Sequence, residues 1–188
     1  MKKSLLASLC MATLALTACD KKTNEAPASS ATSTVTTSTS TTTQPVTASL
    51  SSNNSADIKS DLDQIQMLSN KNSQEATDLQ NKAYQAAQKG DKAALTSTVA
   101  QMKTYINKFN QELDALKLKS SEVNVVRDKI KESNNLGIAL AETSLESSPD
   151  KQKVTELQNR AAQLQKELMT EMQALQNQVK TAPAKTAP

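Results

Sequence analysis

The sequence has no histidine and no tryptophan, only two glycines, and just three aromatic residues, Tyr84, Tyr105 and Phe109. Without histidine there is no Ser/His/Asp or Cys/His triad, no His-ligated zinc or haem, no Glu-x-x-His di-iron motif and no imidazole pH switch. Gly90 and Gly137 alone leave no room for a phosphate-cradling Gly-rich loop or a dinucleotide fingerprint. The formal charge is only +3 over 188 residues. A nearly neutral chain with so few stacking platforms lacks the footprint of a nucleic-acid binder.

What is present begins with a strongly patterned amino terminus. Met1-Lys2-Lys3 is basic, the run from Leu5 to Leu16 is mainly apolar, and Leu16-Thr17-Ala18-Cys19 follows. A basic n-region before a short apolar h-region has the form of a secretory signal, and the run is too short for a comfortable transmembrane helix. Leu16-Thr17-Ala18-Cys19 resembles the lipobox of bacterial lipoproteins. That resemblance implies cleavage between Ala18 and Cys19, a diacylglyceryl group on the Cys19 sulfur and an acyl group, such as palmitate, on its new amino group. Two or three acyl chains hold a membrane well beyond the marginal affinity of one. The resemblance also makes Asp20 a candidate sorting residue of the inner-membrane retention type; inner and outer membrane both stay open. Processing would remove Cys10 and block Cys19, leaving no free thiol and no disulfide. Removing Lys2 and Lys3 with the signal lowers the formal charge from +3 to +1.

From Thr23 to Ser55 the composition turns to Ser and Thr, with Glu25 the only charged residue. So few apolar groups cannot offset the entropy of ordering, and residues 19–55 read as the lipidated cysteine and a disordered linker. Such a coil spans on the order of 30 Å on average and roughly 110 Å at full stretch. It is either a bare spacer or a Ser/Thr-Pro stalk open to O-glycosylation. The tail, residues 181–188, repeats Thr-Ala-Pro and reads as a frayed extension.

Residues 56–180 carry helical periodicity throughout. Leu95, Val99, Met102, Ile106, Phe109, Leu113 and Leu116 alternate steps of four and three, the stripe of one long helix. Ile58, Leu62, Ile65, Ala76, Leu79, Ala83 and Ala86 form an earlier stripe weakened at Ser69 and Asn72. Val154, Leu157, Ala161, Leu164, Leu168, Met172, Leu175 and Val179 form the last. Lys89-Gly90-Asp91 places a C-terminal glycine before an N-capping aspartate. Ser148-Pro149-Asp150 offers an N-cap, a proline at the first helical position and an acid in the first turn. Ser120-Ser121-Glu122 is a weaker break, supported by the changed phase of Val123, Val126, Ile130 and Leu140. The spacing predicts helices over 56–89, 91–118, 121–147 and 149–180, rods of roughly 40 to 50 Å. The expected fold is all-α, an antiparallel four-helix bundle of up-down-up-down topology. The alternative runs residues 91–147 as one helix of about 85 Å in a long three-helix or dimeric coiled coil.

Few side chains suggest chemistry. Met169 and Met172 stand at i and i+3, a spacing that suits soft Cu(I), with Met67 or Met102 as further thioethers from other helices. Methionine is equally an ordinary core filler, and Met102 and Met172 lie on the apolar stripes. Glu167 and Glu171 are one turn apart, with Glu171 near the seam. Gly137, within Ser133-Asn134-Asn135-Leu136-Gly137, reads as a hinge, a place of close approach, or a tolerated soft spot. No cofactor is expected. The sequence therefore suggests a non-enzymatic lipoprotein of the bacterial cell envelope, lipid-anchored at Cys19 with its body in the periplasm. Its bundle would act as an interaction, scaffold or chaperone-like module on an envelope protein partner. The alternative is a carrier of a small apolar ligand or soft metal within the bundle.

Overall fold

The computed structural model describes residues 49–182. They form four helices: α1 (Ser55–Lys89), α2 (Lys92–Asp114), α3 (Ser121–Leu145) and α4 (Lys151–Thr181). Among the described residues there is no strand, only an isolated parallel bridge between Ser51 and Ser120.

Each helix starts where the local chemistry satisfies its free N–H groups. Asn54 caps α1 by accepting from the amides of Ala56 and Asp57, and Asp91 caps α2 by accepting from Ala94. Gly90 ends α1 in the left-handed region, φ 67°, which costs a residue without Cβ little. Its amide donates to Ala87 O, and that of Asp91 donates to Ala86 O. The α1–α2 hairpin thus turns where Gly90-Asp91 places it.

Three boundaries differ from the sequence expectation by two residues or more, the simplest being that α3 ends at Leu145 rather than 147. Asp150, rather than Ser148, caps α4, accepting from Gln152 N and Lys153 N at 2.9 and 3.2 Å. Because the Asp150 carboxylate takes the capping bonds, Pro149 stands one position before the cap and the helix begins after the proline rather than on it. Helix α2 stops at Asp114, and Ala115–Lys119 cross to α3 instead of completing a helix to 118. Residues 91–147 therefore form two helices, not one.

Ion pairs record the antiparallel order. Between α1 and α2, Lys71 meets Glu112 and Glu75 meets Lys108; between α2 and α3, Lys103 meets Glu142 and Asp114 meets Lys131. Between α3 and α4, Lys129 meets Glu167 and Glu132 meets Arg160. In every pair of helices the partner number falls as the other rises. Exposed pairs of this kind contribute little stability singly, so they report register more than they create it.

The helices are not stacked as four equal rods. Neighbours in sequence pack together, α1 also touches α3 and α4, and α2 and α4 do not pack against each other. Asp114, the last residue of α2, meets Lys131, so residues 121–130 of α3 continue past the end of α2. There α1 comes directly against the start of α3. The upper core joins Leu79 of α1, Met102, Tyr105 and Ile106 of α2 and Ile138 of α3, with Tyr105 stacked on Phe109 at 6.2 Å. Ile58, Leu113, Val123, Val126 and Leu164 are buried almost completely. Helix α4 buries Leu164, Leu168, Met172 and Leu175, whereas Val154, Leu157 and Ala161 in its first half are only half-buried.

Candidate functional site

The densest polar arrangement lies where the Ser/Thr-rich segment joins the bundle. Ser51 N–H donates to Lys119 O at 2.7 Å, and Ser121 N–H donates to Ser51 O at 2.9 Å. Glu122 Oε1 accepts from Asn53 N at 2.6 Å and from Ser52 Oγ at 3.1 Å. Asn53 turns the chain in the left-handed region, φ 57°, a conformation asparagine tolerates better than most residues. The Asn53 amide, with help from the Ser52 and Ser121 hydroxyls, holds the Glu122 carboxyl below the usual carboxylate range. Residues 51–53 therefore act as a strap over the segment between α2 and α3.

Beneath the strap lies a buried acid. Asp61 and Ser120 have no exposed surface. Asp61 Oδ2 accepts from Lys119 N at 2.8 Å, Ser120 N at 2.7 Å and Ser120 Oγ at 2.8 Å, and Oδ1 accepts from Gln64 Nε2 at 3.3 Å. Ser120 is the N-cap of α3 but makes no side-chain capping bond; its hydroxyl donates to Asp61. Helix α1 thus supplies the acceptor that fixes the entry to α3. Sequence reasoning passed over Asp61, although Ile58, Asp61, Ile65, Leu68 and Asn72 alternate steps of three and four. That phase places both polar residues on the buried stripe.

Asn72 is the second such residue. Its side-chain amide donates to Leu68 O at 3.0 Å and Glu112 Oε2 at 2.9 Å, and Tyr105 OH donates to Asn72 O at 3.2 Å. The Asn72 amide, then Lys71, holds Glu112 below the usual carboxylate range. Burial pushes the Tyr105 phenol up, aided by the negative charges of Glu75 and Glu112. This network fastens α1 to α2.

Glu167 and Glu171 do come together, on either side of Lys129. The ammonium lies 3.2 Å from Glu167 and 2.5 Å from Glu171. Glu171, then Glu167, raises the Lys129 ammonium above its ordinary range, and Lys129, then Gln163, lowers Glu167. Glu171 Oε2 is shielded and lacks a partner, while the Glu171 side chain as a whole is 37% exposed. The arrangement is an α3–α4 clasp in which one ammonium is shared by two carboxylates.

The thioethers are not brought together. Met169 is 57% exposed and Met67 is 64% exposed, whereas Met172 and Met102 are buried on α4 and α2, which do not pack on each other. Among the described residues no group of three or more acidic or cysteine side chains is placed to hold a metal ion. Helix α3 runs unbroken through Gly137, and a Cβ there would meet nothing within 4 Å, so no neighbouring helix requires the glycine. Two depressions flank α3, one around Glu132, Asn135 and Leu136, the other against α2 at Ile106 and Ile138; both are open grooves rather than enclosed cavities. Ala18, Cys19 and Asp20 lie outside the described residues.

Among the described residues no helix is long and apolar enough to cross a membrane. No curated protein and no solved structure matches the chain. A family model described as Uncharacterised lipoprotein PM1805 matches residues 59–180, from the second turn of α1 to the last of α4. The chain, whose bundle fills that span, belongs to the uncharacterised lipoprotein PM1805 family.

Proposed function

We propose that this lipoprotein is a non-enzymatic interaction or scaffold module of the cell envelope, held at the membrane by lipid on Cys19 and working through the outer surface of its bundle. The observation that carries this reading is where the buried polar groups go. Asp61 holds the start of α3, and Asn72 and Tyr105 join α1 to α2. Each is engaged in holding helices together. The two α3 grooves are open. A surface of long polar helices suits contact with another macromolecule better than enclosure of a small ligand.

The anchor and the partner are tested separately. Cys19→Ala should abolish labelling by an alkyne palmitate analogue and release or mis-process the protein; continued labelling would refute the anchor. In-cell crosslinking at native expression should yield the same partner in independent preparations, in amounts reduced for Cys19→Ala. Absence of any reproducible partner would refute the scaffold reading. Native mass spectrometry tests the carrier alternative: a stoichiometric small molecule retained by the bundle would favour it.

A further inference from the structure

We propose that Ser51–Asn53 is a reversible latch through which load on the lipid tether enters the bundle at the α2–α3 junction, and that it yields before any helix does. This rests on the lipoprotein reading for the source of the load, but the latch itself is a property of the described residues.

Three observations support it. First, the strap is fastened by six hydrogen bonds, all at its own residues: Ser51 N and Oγ donate to Lys119 O, Ser121 N and Oγ donate to Ser51 O, and Ser52 Oγ and Asn53 N donate to Glu122. Ser52 and Asn53 are exposed and Ser51 half-buried, so no apolar side chain adds to the hold. Second, these bonds lie across the entry of α3, not along α1. A pull on the preceding chain is therefore borne by Lys119, Ser121 and Glu122 before it reaches the Asn54 cap of α1. Third, the far side of the same segment is held by Asp61, whose acceptor bonds to Lys119 and Ser120 do not involve the strap. The strap can leave without dismantling that seat. Its departure frees the Ser121 amide in the first turn of α3 and removes the Asn53 and Ser52 donors from Glu122. The state of the tether is thereby coupled to the order of the α3 amino terminus, with the strap as the two-state element.

Amide exchange on the full, unlipidated chain tests the latch independently of any acylation. The amides of Ser51, Asn53 and Ser121 should be protected, yet exchange at least tenfold faster than Met102 in the core. Ser51→Pro, which removes the Ser51 donor, should speed exchange of Ser121 at least tenfold and leave Met102 unchanged. Glu122→Gln provides a second, milder variant with the same sign. Unprotected strap amides, or amides exchanging as slowly as Met102, would overturn the proposal.

Force tests the load path. In the full chain carrying Cys10→Ser and Ala182→Cys, handles attach to thiols at positions 19 and 182. A step lengthening the molecule by roughly 10 Å, the reach of about three residues, should precede helix unfolding and vanish in Ser51→Pro. Identical traces for the two proteins would overturn it. Lipid labelling of Cys19 is a separate experiment, so failure of the anchor and failure of the latch are distinguishable.

Discussion

Asp61→Ala should be among the most damaging single substitutions in this protein. The mutation removes the acceptor of two backbone amides, Lys119 N and Ser120 N, and of the Ser120 hydroxyl, at 2.7 to 2.8 Å. Asp61 and Ser120 are both fully buried, so water cannot replace the carboxylate without opening the junction. Each buried donor left without a partner costs about 1 to 3 kcal/mol, and a bond to a charged group contributes about 1.5 to 3 kcal/mol. Local relaxation lets some of the donors find other partners, which brings the expected loss to about 3 to 5 kcal/mol. Total stability for a domain of this size is on the order of 10 kcal/mol. With a urea dependence of about 2 kcal/mol per molar, the midpoint should fall by about 2 M. Far-UV circular dichroism is the appropriate probe, since the chain has no tryptophan. Asp61→Asn keeps an acceptor for the α3 amides and should lose no more than about half as much. Asp63→Ala breaks only an exposed pair with Lys59 and should cost a few tenths of a kcal/mol. An Asp61→Ala midpoint within about 0.5 M of the wild type, at unchanged slope, would refute the assignment of Asp61 as the seat of α3.

Gly137→Ala should stabilise the protein by up to about 1 kcal/mol, because Gly137 lies inside a helix and the added methyl meets nothing; a lowered melting temperature would contradict this. Asp150→Ala removes the acceptor for Gln152 and Lys153 and should cost about 1 kcal/mol, read from the urea midpoint and from faster exchange of those two amides. Glu112, Glu122 and Glu167 have folded-state pKa values below the ordinary 4.5. Their contribution is therefore complete above pH 4.5 and is lost as pH falls through the lower folded values. Melting temperature should drop on acidification below pH 4.5, with a shallower drop in the triple Gln variant; parallel curves would exclude these carboxylates as the cause.

Much of the fold is legible in the sequence because its punctuation is strong. Gly90-Asp91 supplies a left-handed end and an N-cap side by side, and both serve as expected. The α2 stripe also holds, with Leu95, Val99, Met102, Ile106 and Leu113 buried. It misleads only at its last member, Leu116. The spacing continues there, but the chain has left the helix to carry Lys119 and Ser120 to Asp61, a destination local pattern cannot encode. Asp61 escaped notice because an aspartate is ordinarily read as solvated, even when its phase is that of the core. The strap was hidden for a similar reason. Ser51 and Asn53 are compositionally indistinguishable from the Ser/Thr stretch before them, and their order comes from partners about seventy positions away. The methionines fail as a group for a geometric reason: Met172 is spent on the core while Met169, one turn away at its edge, is exposed, and α2 does not pack on that helix.

The separation between partners also bears on how the chain acquires its structure. The polar links between α2 and α3, and between α3 and α4, join residues 17 to 42 positions apart, whereas Asp61 reaches its partners across 58 and 59 and the strap across 68 to 70. Contacts between neighbours close small loops and form early, and long closures carry the greater entropic cost. Folding kinetics should therefore have two parts: rapid pairing of helices adjacent in sequence, then slower closure of α1 and the strap onto the α3 entry. Asp61 would then govern the second phase and leave the first untouched.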